Sequence, residues 1–334
     1  MNKTLTALMA GVVSFAAGMA TAADFKPAVI YDMGGKFDKS FNEGVYNGIK
    51  RFSEETGVEV MEFEVTNETQ RQQAMERMVA RGATVVLGVG FAQADAISAV
   101  ATANPDVKFS IIDVNWLDHA NLRQYAFKEQ EGSYLVGMAA AMASQTGTVG
   151  FVGGMDIPLI RAFECGYKQG AKAANADITL LGNMTGTTPA AWNDPAKGAE
   201  LTQGQIDRGA DVVYQAAGGT GVGVLQAAAD AGKMSIGVDS NQNYIHPGSV
   251  LTSMLKRVDV AAYETMKDAM SGDFDTGVRN LGLAEGGVGW ALDEHNRAMI
   301  TPEMEAAIND ASAKIASGEI AVHDYRSDNT CPVE

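Results

Sequence analysis

The chain has 334 residues, of which 46% are hydrophobic and 20% are charged. This composition is typical of a globular protein, and the length is sufficient for two lobes with separate cores. The formal net charge of -16 argues against nucleic acid or an anionic membrane as a partner, because both are negatively charged.

The first residues have the features of a secretory signal. A short polar start precedes a mostly apolar stretch over residues 5–19, and Ala20-Thr21-Ala22 fits a cleavage site. The apolar stretch is short for a transmembrane helix. We therefore expect residues 1–22 to be a cleaved signal peptide and the mature protein to be periplasmic. No cysteine near the cleavage site could carry a lipid.

From residue 24 onward, predicted strands alternate with predicted helices, and the series starts twice. The first series has strands at 28–31, 58–65, 84–87, 109–112 and 125–127, and helices at 40–55, 69–81, 92–103 and 131–144. The second has strands at 148–152, 178–181, 212–215 and 235–238, and helices at 158–174, 194–208 and 222–231. This alternation predicts mostly parallel sheets with helices on both faces.

An internal repeat supports two related lobes. Arg81-Gly82-Ala83-Thr84-Val85-Val86 leads by way of a helix to Asp113, and Arg208-Gly209-Ala210-Asp211-Val212-Val213 leads in the same way to Asp239. We expect lobe I to comprise residues 23–128 and 247–278, and lobe II to comprise residues 129–246 and 279–334. Several chain crossings between the lobes would form a hinge beside a cleft.

Three acidic side chains follow apolar strands, at Asp32, Asp113 and Asp239. Any one of them could be a turn or capping residue. Ligands of open α/β sheets bind at the carboxyl ends of strands, so three acids at such ends favour a binding site. Carboxylates accept hydrogen bonds from hydroxyl groups and from the N–H edges of purines.

Aromatic residues lie in a loop of each predicted lobe. Ser40 and Glu43 fit a capping box at the start of a helix, which places Phe41 in its first turn. Trp192 lies in a loop of the second series. Two such rings could enclose a flat base, and stacking contributes about 1–3 kcal/mol per base in nucleic-acid complexes. Surface packing explains Trp192 equally well.

The glycine-rich stretch from Gly218 to Gly223 lacks the G-x-G-x-x-G spacing. It fits a tight turn in which the backbone approaches a ligand at a helix start. Recognisable catalytic motifs are absent from the sequence, and the four histidines have no metal-binding spacing. We predict no enzymatic activity, no metal and no cofactor.

Cys165 and Cys331 are the two cysteines of the chain. An even number in a secreted protein favours a disulfide, which would connect the tail to lobe II. The alternative is a buried Cys165 and a free Cys331.

These motifs resemble the basic-membrane-protein (BMP) family, which comprises substrate-binding proteins of ABC importers and includes purine-nucleoside receptors. Asp32-x-Gly34 followed by Asp38-Lys39-Ser40-Phe41-Asn42 resembles the family's opening motif. Trp192-Asn193-Asp194-Pro195 resembles its second stacking segment, with Trp in place of the usual Phe or Tyr. Gly218 to Gly221, Gly237 to Asp239 and residues 253–259 resemble its glycine loop, its ribose-binding acid and its lysine segment. The resemblance covers nearly the whole mature chain, although many family members are lipoproteins.

The resemblance implies an α/β, type I periplasmic-binding-protein fold with two Rossmann-like lobes joined by a hinge. It also implies a monomer that delivers a purine nucleoside to the permease of an ABC importer. Within that family pattern, Phe41 and Trp192 sandwich the base. Asn42 and Asp113 bind the edge of the base, and Asn115 could share that role. The ribose is held by Asp32, Gly218, Asp239 and Lys256. Another solute, such as a nucleobase, a sugar or a flavin-like metabolite, stays open as an alternative. A periplasmic nucleoside hydrolase is less favoured, because the acids lie one per strand end without calcium-loop spacing.

Overall fold

Two six-stranded sheets organise the chain in the computed structural model, which describes residues 25–333. The predicted signal peptide, residues 1–22, lies outside the described residues. In chain order the elements are β1 (Pro27–Tyr31), α1 (Phe41–Thr56), β2 (Met61–Glu64), α2 (Gln70–Ala80), β3 (Val85–Gly88), α3 (Ala94–Ala103), β4 (Lys108–Ile112), β5 (Leu122–Phe127), α4 (Glu129–Ala143), β6 (Thr148–Met155), α5 (Pro158–Ala174), β7 (Thr179–Gly186), α6 (Pro195–Ile206), β8 (Val212–Ala216), α7 (Gly221–Asp230), β9 (Met234–Asp239), β10 (Val250–Lys256), α8 (Val258–Ser271), β11 (Gly277–Leu281), β12 (Val288–Trp290) and α9 (Pro302–Ala316).

The two sheets have equivalent strand orders. Lobe I contains β11-β5-β4-β3-β1-β2, and lobe II contains β12-β10-β9-β8-β6-β7. Strands pair in parallel in both sheets, except that β12 runs antiparallel to β10. The predicted α/β fold with two lobes and mostly parallel sheets is therefore confirmed.

The central strands are continuous apolar runs because helices cover both faces of each sheet. All five residues of β1 are buried, and β3 is buried throughout as well. Helix α1, predicted at residues 40–55, ends at Thr56 and is capped by Gly57, whose φ of 73° gives the left-handed conformation that glycine adopts without strain. The carboxyl ends of β1, β4 and β9 face the cleft between the lobes, because the acids at these ends line it.

The predicted boundaries at residues 247 and 278 were wrong. Strand β10 pairs in parallel with β9 and antiparallel with β12, so residues 250–256 belong to lobe II. Helix α8 packs on α1, and β11 pairs with β5, which returns lobe I to residues 258–281. An apolar strand pattern reports burial but does not specify which sheet the strand joins. The chain thus crosses between the lobes near Lys128, near Arg257 and over residues 282–287.

Helices α4 and α5 approach each other closely in lobe II. A Cβ atom at Gly137 would collide with the carbonyl oxygen of Tyr167, and one at Gly170 would collide with that of Tyr134. The many small residues of 131–144 permit this close approach. It holds the first turns of α5 against the cleft between the lobes.

The expected disulfide is present, between Cys165 in α5 and Cys331 in the C-terminal segment, with 5.6 Å between their Cα atoms. It fixes that segment to lobe II. Among residues 25–333, every helix is too short or too polar to cross a membrane.

Candidate functional site

A cleft lies between the lobes, and residues from both lobes line it. It brings together eight of the nine predicted site residues: Asp32, Phe41, Asn42, Asp113, Trp192, Gly218, Asp239 and Lys256. The ninth, Asn115, lines an adjoining cavity together with Trp116. The shared role expected for Asn115 at the base edge therefore has no support from its position.

The loop before α1 is organised by Asp38, not by the predicted capping box. The Asp38 carboxylate accepts hydrogen bonds from the backbone N–H groups of Ser40 (2.9 Å), Asn42 (3.0 Å) and Glu43 (3.1 Å). Ser40 makes no side-chain cap, so that prediction was wrong. The capping acid lies two residues earlier, and it sets Phe41 and Asn42 at the wall of the cleft.

Asn42 connects the helix start to the first strand end. Its Oδ1 accepts a hydrogen bond from the backbone N–H of Asp32 (3.1 Å), and its side chain is 2% exposed. Asp32 is also buried, and its carboxylate forms an ion pair with Arg71 at 3.3 Å. Burial raises the pKa of Asp32, and hydrogen bonding to the Met33 backbone and the charge of Arg71 partly oppose this rise.

The Ser40 side chain makes a contact between the lobes. Its hydroxyl donates to the Asp239 carboxylate (2.5 Å), and the Ser240 hydroxyl donates to the Ser40 carbonyl oxygen (2.9 Å). The amide of Gln242 donates to the carbonyl oxygen of Lys39 in the same region. The two lobes are therefore closed on each other at this edge of the cleft.

Asp113 and Asp239 occupy equivalent positions in the two lobes, just after β4 and at the end of β9. Both have left-handed backbone conformations, with φ of 66° and 62°, which are uncommon for residues other than glycine. The internal repeat predicted this correspondence. The unusual conformation at both positions directs two acids to the same cleft.

Lys256 lies among these acids at the end of β10. Its Nζ is 2.6 Å from Asp113 and 3.0 Å from Glu129, and its side chain is 2% exposed. Burial disfavours the ammonium group, but the charges of Asp113, Glu129 and Asp239 outweigh it, and the pKa of Lys256 is raised. Burial also raises the pKa values of Asp113 and Asp239 to about 6, although Lys256 opposes both shifts.

Aromatic rings form much of the remaining wall. Phe41 from lobe I and Trp192 from lobe II both line the cleft, with Phe91 and Phe163. The Lys256 ammonium group is 5.2 Å from the centre of the Phe41 ring, within cation–π range. The arrangement offers flat apolar surfaces beside a cluster of charges.

The turn that carries Trp192 is held by the glycine loop. Residues Gly218–Thr220 form a 3₁₀ turn, and Gly218 has a φ of 57°. The Thr220 hydroxyl donates to the carbonyl oxygen of Ala191 (2.8 Å) and accepts from the N–H of Asp194 (2.7 Å). The loop is thus both a tight turn and a support for the aromatic segment.

Sequence reasoning missed Glu129, Phe163 and Arg326. Glu129 lies at the start of α4, two residues before the predicted helix, and Phe163 resembles an ordinary core residue of α5. Arg326 forms an ion pair with Glu129 at 2.9 Å from almost 200 residues away. No local pattern marks such a partner.

Within the described residues, one group of three adjacent side chains has the chemistry of metal ligands: Asp293, Glu294 and His295. It does not line the cleft, and Asp293 already accepts hydrogen bonds from Asn241 and Asn243.

The fold and the cleft define a two-lobed solute-binding protein. A solute-binding protein of an ABC transporter system from Aeropyrum pernix K1 superposes with a TM-score of 0.83 and 28% identity, covering 91% of this chain and 95% of its own. Proteins of this class work outside the cytoplasm.

The chain belongs to the Bmp family, described as "ABC transporter substrate-binding protein PnrA-like", which it matches over residues 25–326. Basic membrane protein A of Borreliella burgdorferi is 33% identical over 332 residues, which are 96% of each chain. The "ABC transporter nucleoside-binding protein BmpA" of Lactococcus lactis subsp. cremoris is 32% identical over 321 residues, covering 90% of this chain and 89% of the relative. The family resemblance of the motifs is therefore confirmed.

Proposed function

We propose that this protein binds a purine nucleoside in the cleft and delivers it to the permease of an ABC importer, without chemical change to the ligand. One observation carries the proposal: Phe41 and Trp192, from opposite lobes, share one cleft with a buried cluster of carboxylates around Lys256. Flat apolar surfaces suit a heterocyclic base, and charged groups suit the hydroxyl groups of a sugar. A nucleoside has both parts.

Each lobe supplies contacts for both parts of the ligand. Phe41 and Trp192 stack on the base, while Asn42 and Asp113 hydrogen-bond its edge. The ribose hydroxyls bind the set formed by Asp32, Gly218, Asp239 and Lys256. Because Lys256 and Asp113 are ion-paired, the sites for base and ribose are electrostatically connected.

Ligand contacts to both lobes stabilise the closed arrangement, since a ligand favours the state that it binds more tightly. The permease recognises that closed arrangement, so that binding is converted into transport. The nucleoside-binding relative from Lactococcus lactis supports the ligand class. We further propose that the mature protein is a periplasmic monomer, released by cleavage near Ala22.

Calorimetry of the mature protein tests the ligand. Adenosine, guanosine and inosine are titrated beside free purine bases, ribose and riboflavin. We expect nucleosides to bind at least about tenfold more tightly than bases or ribose, a difference of about 1.4 kcal/mol. Preferred binding of a base, a sugar or a flavin would identify another solute. No binding of any nucleoside would refute the proposal.

Two phenylalanines four residues apart, Phe37 in the loop before α1 and Phe41 at the start of α1, provide a matched pair of variants. Phe41 lines the cleft, whereas Phe37 is 61% exposed and lies outside it. Phe41→Ala should weaken nucleoside binding by about 1–3 kcal/mol through lost stacking, while Phe37→Ala should bind normally. Equal effects would place the base elsewhere. Incubation with nucleoside, followed by analysis for free base, tests the absence of hydrolysis.

A further inference from the structure

The C-terminal segment is attached to α5 at two points. Residues 320–331, which we name the strap, follow α9 and run back along α5. His323 exchanges backbone hydrogen bonds with the Gln169 side chain, at 2.9 Å and 3.0 Å. Cys331 is bonded to Cys165, four residues before Gln169 and about one helical turn away. The strap therefore has a fixed position on lobe II.

Arg326 lies between these two attachments and points to a lobe crossing. Its guanidinium donates to the carbonyl oxygen of Phe127, the last residue of β5 in lobe I (3.0 Å). It also forms an ion pair with Glu129, the first residue of α4 in lobe II (2.9 Å). Asp324 orients the guanidinium from within the strap, at 2.9 Å from Nε. The strap thus connects both sides of the first crossing.

The ion pairs continue from Arg326 into the cleft. Glu129 is fully buried and stands between two cations, Arg326 at 2.9 Å and Lys256 at 3.0 Å. Lys256 in turn stands between Glu129 and Asp113. A buried charge that loses one partner is costly, and its attraction to the remaining partner is no longer shared. Without Arg326, Glu129 would hold Lys256 more strongly, away from Asp113 and the cleft.

We infer that Arg326, held by the disulfide-bonded strap, is a positioning residue that determines where the Lys256 ammonium group stands in the cleft. Arg326 lines the adjoining cavity but not the main cleft. It acts on Lys256 through Glu129, the acid that both cations contact. The inference rests on the proposed function in one respect, that ribose hydroxyls bind Lys256. It adds a remote residue and a covalent attachment to that site.

Two ligands that differ in hydroxyl groups distinguish positioning from general stability. Inosine has the 2′ and 3′ hydroxyls, and 2′,3′-dideoxyinosine lacks them. Arg326→Gln should raise the Kd of inosine about tenfold, within the 0.5–2 kcal/mol range of remote coupling. It should raise the Kd of the dideoxy analogue by no more than about threefold, because that ligand meets Lys256 only indirectly, through the paired Asp113 at the base edge. Arg326→Lys keeps the charge beside Glu129 and should restore inosine binding to within about threefold.

Arg297→Gln is the matched control, because Arg297 pairs with Glu305 at the surface of lobe II and lies away from the cleft. It should bind both ligands like the wild type. Cys331→Ser releases the strap without altering a charge, and should weaken inosine binding about threefold with little effect on the analogue. Equal losses for the two ligands, or unchanged inosine binding by Arg326→Gln, would overturn the inference.

Lysine NMR separates this inference from the proposed function. The ¹³Cε signal of Lys256, assigned with Lys256→Met, should shift in Arg326→Gln and Cys331→Ser but not in Arg297→Gln. If the wild type binds no nucleoside, the proposed function fails, and the Lys256 signal alone decides the positioning role. If the Lys256 signal is unchanged in both Arg326→Gln and Cys331→Ser, the positioning role of Arg326 is overturned. Having two variants keeps the test available when one of them folds poorly.

Discussion

Gly154 should control the position of the Trp192 ring, and replacing it tests the stacking role directly. Gly154 lies in β6, and a Cβ atom there would be 2.5 Å from Cε3 of Trp192, 2.8 Å from Cη2 and still closer to Cζ3. Carbon atoms in favourable contact are about 3.5–4.0 Å apart, so the ring would have to move by at least about 1 Å. Because Trp192 lines the cleft, this shift would change the surface that the ring presents to a ligand.

Gly154→Ala should therefore weaken nucleoside binding. Base stacking contributes about 1–3 kcal/mol, and a displaced ring should lose about 1–2 kcal/mol of it, which raises Kd roughly 5- to 30-fold. Calorimetry with inosine measures the change. Gly204→Ala is the control, because Gly204 lies exposed in α6 with open space around it. That variant should bind normally and gain slightly in stability.

A double-mutant cycle identifies the ring as the cause. Phenylalanine lacks the outer indole carbons Cζ3 and Cη2, so Trp192→Phe leaves more room beside residue 154. In that background Gly154→Ala should cost less than about half of its effect on the wild type. An unchanged Kd for Gly154→Ala, or a loss of the same size in both backgrounds, would refute the reasoning.

Three further predictions follow from the acids of the cleft and the disulfide. Asp239→Ala should weaken nucleoside binding by about 2 kcal/mol, the value of a charged hydrogen bond, and should weaken free-base binding far less, because a base is affected only through the lost bond to Ser40 between the lobes; equal losses in calorimetry would contradict the ribose role. Because burial raises the pKa values of Asp113 and Asp239 to about 6, both acids take up protons as the pH falls from 7 to 5. They then lose the negative charge that makes each a strong hydrogen-bond acceptor. Nucleoside affinity should therefore be highest above pH 7 and fall through pH 6, and an affinity that rises on acidification would be inconsistent with ionised acceptors. Cys331→Ser should lower the free energy of unfolding by about 2–4 kcal/mol in urea titrations, as should reduction of the wild type; an identical midpoint for oxidised and reduced protein would contradict this.

Much of the fold was predictable because local patterns specify it. Alternating apolar runs and helical segments predicted both parallel sheets, and the repeat that ends at Asp113 and Asp239 predicted two equivalent lobes. The acids at strand ends were predictable for the same reason, since the carboxyl ends of parallel strands lie at one edge. The first helix, predicted at residues 40–55 and found at Phe41–Thr56, followed from short-range signals.

Other features depend on partners that are distant in sequence. Strand β10 is apolar in either sheet, so its membership of lobe II depends on β9 and β12. The buried charges of Glu129 and Arg326 are separated by almost 200 residues, and neither residue has a recognisable motif. At the start of α1, the sequence offers two side chains that could cap the helix, Asp38 and Ser40. Asp38 is the cap in the structure, because its carboxylate accepts hydrogen bonds from three backbone N–H groups.

The bond between Ser40 and Asp239 gives one carboxylate two tasks. One of its oxygens accepts the Ser40 hydroxyl of the opposite lobe, and under the proposed function the other is free to accept a sugar hydroxyl. Closure of the lobes and recognition of the ligand then depend on the same carboxylate. A permease that recognises only the closed arrangement of the lobes would therefore also respond to the hydroxyl groups of the bound ligand.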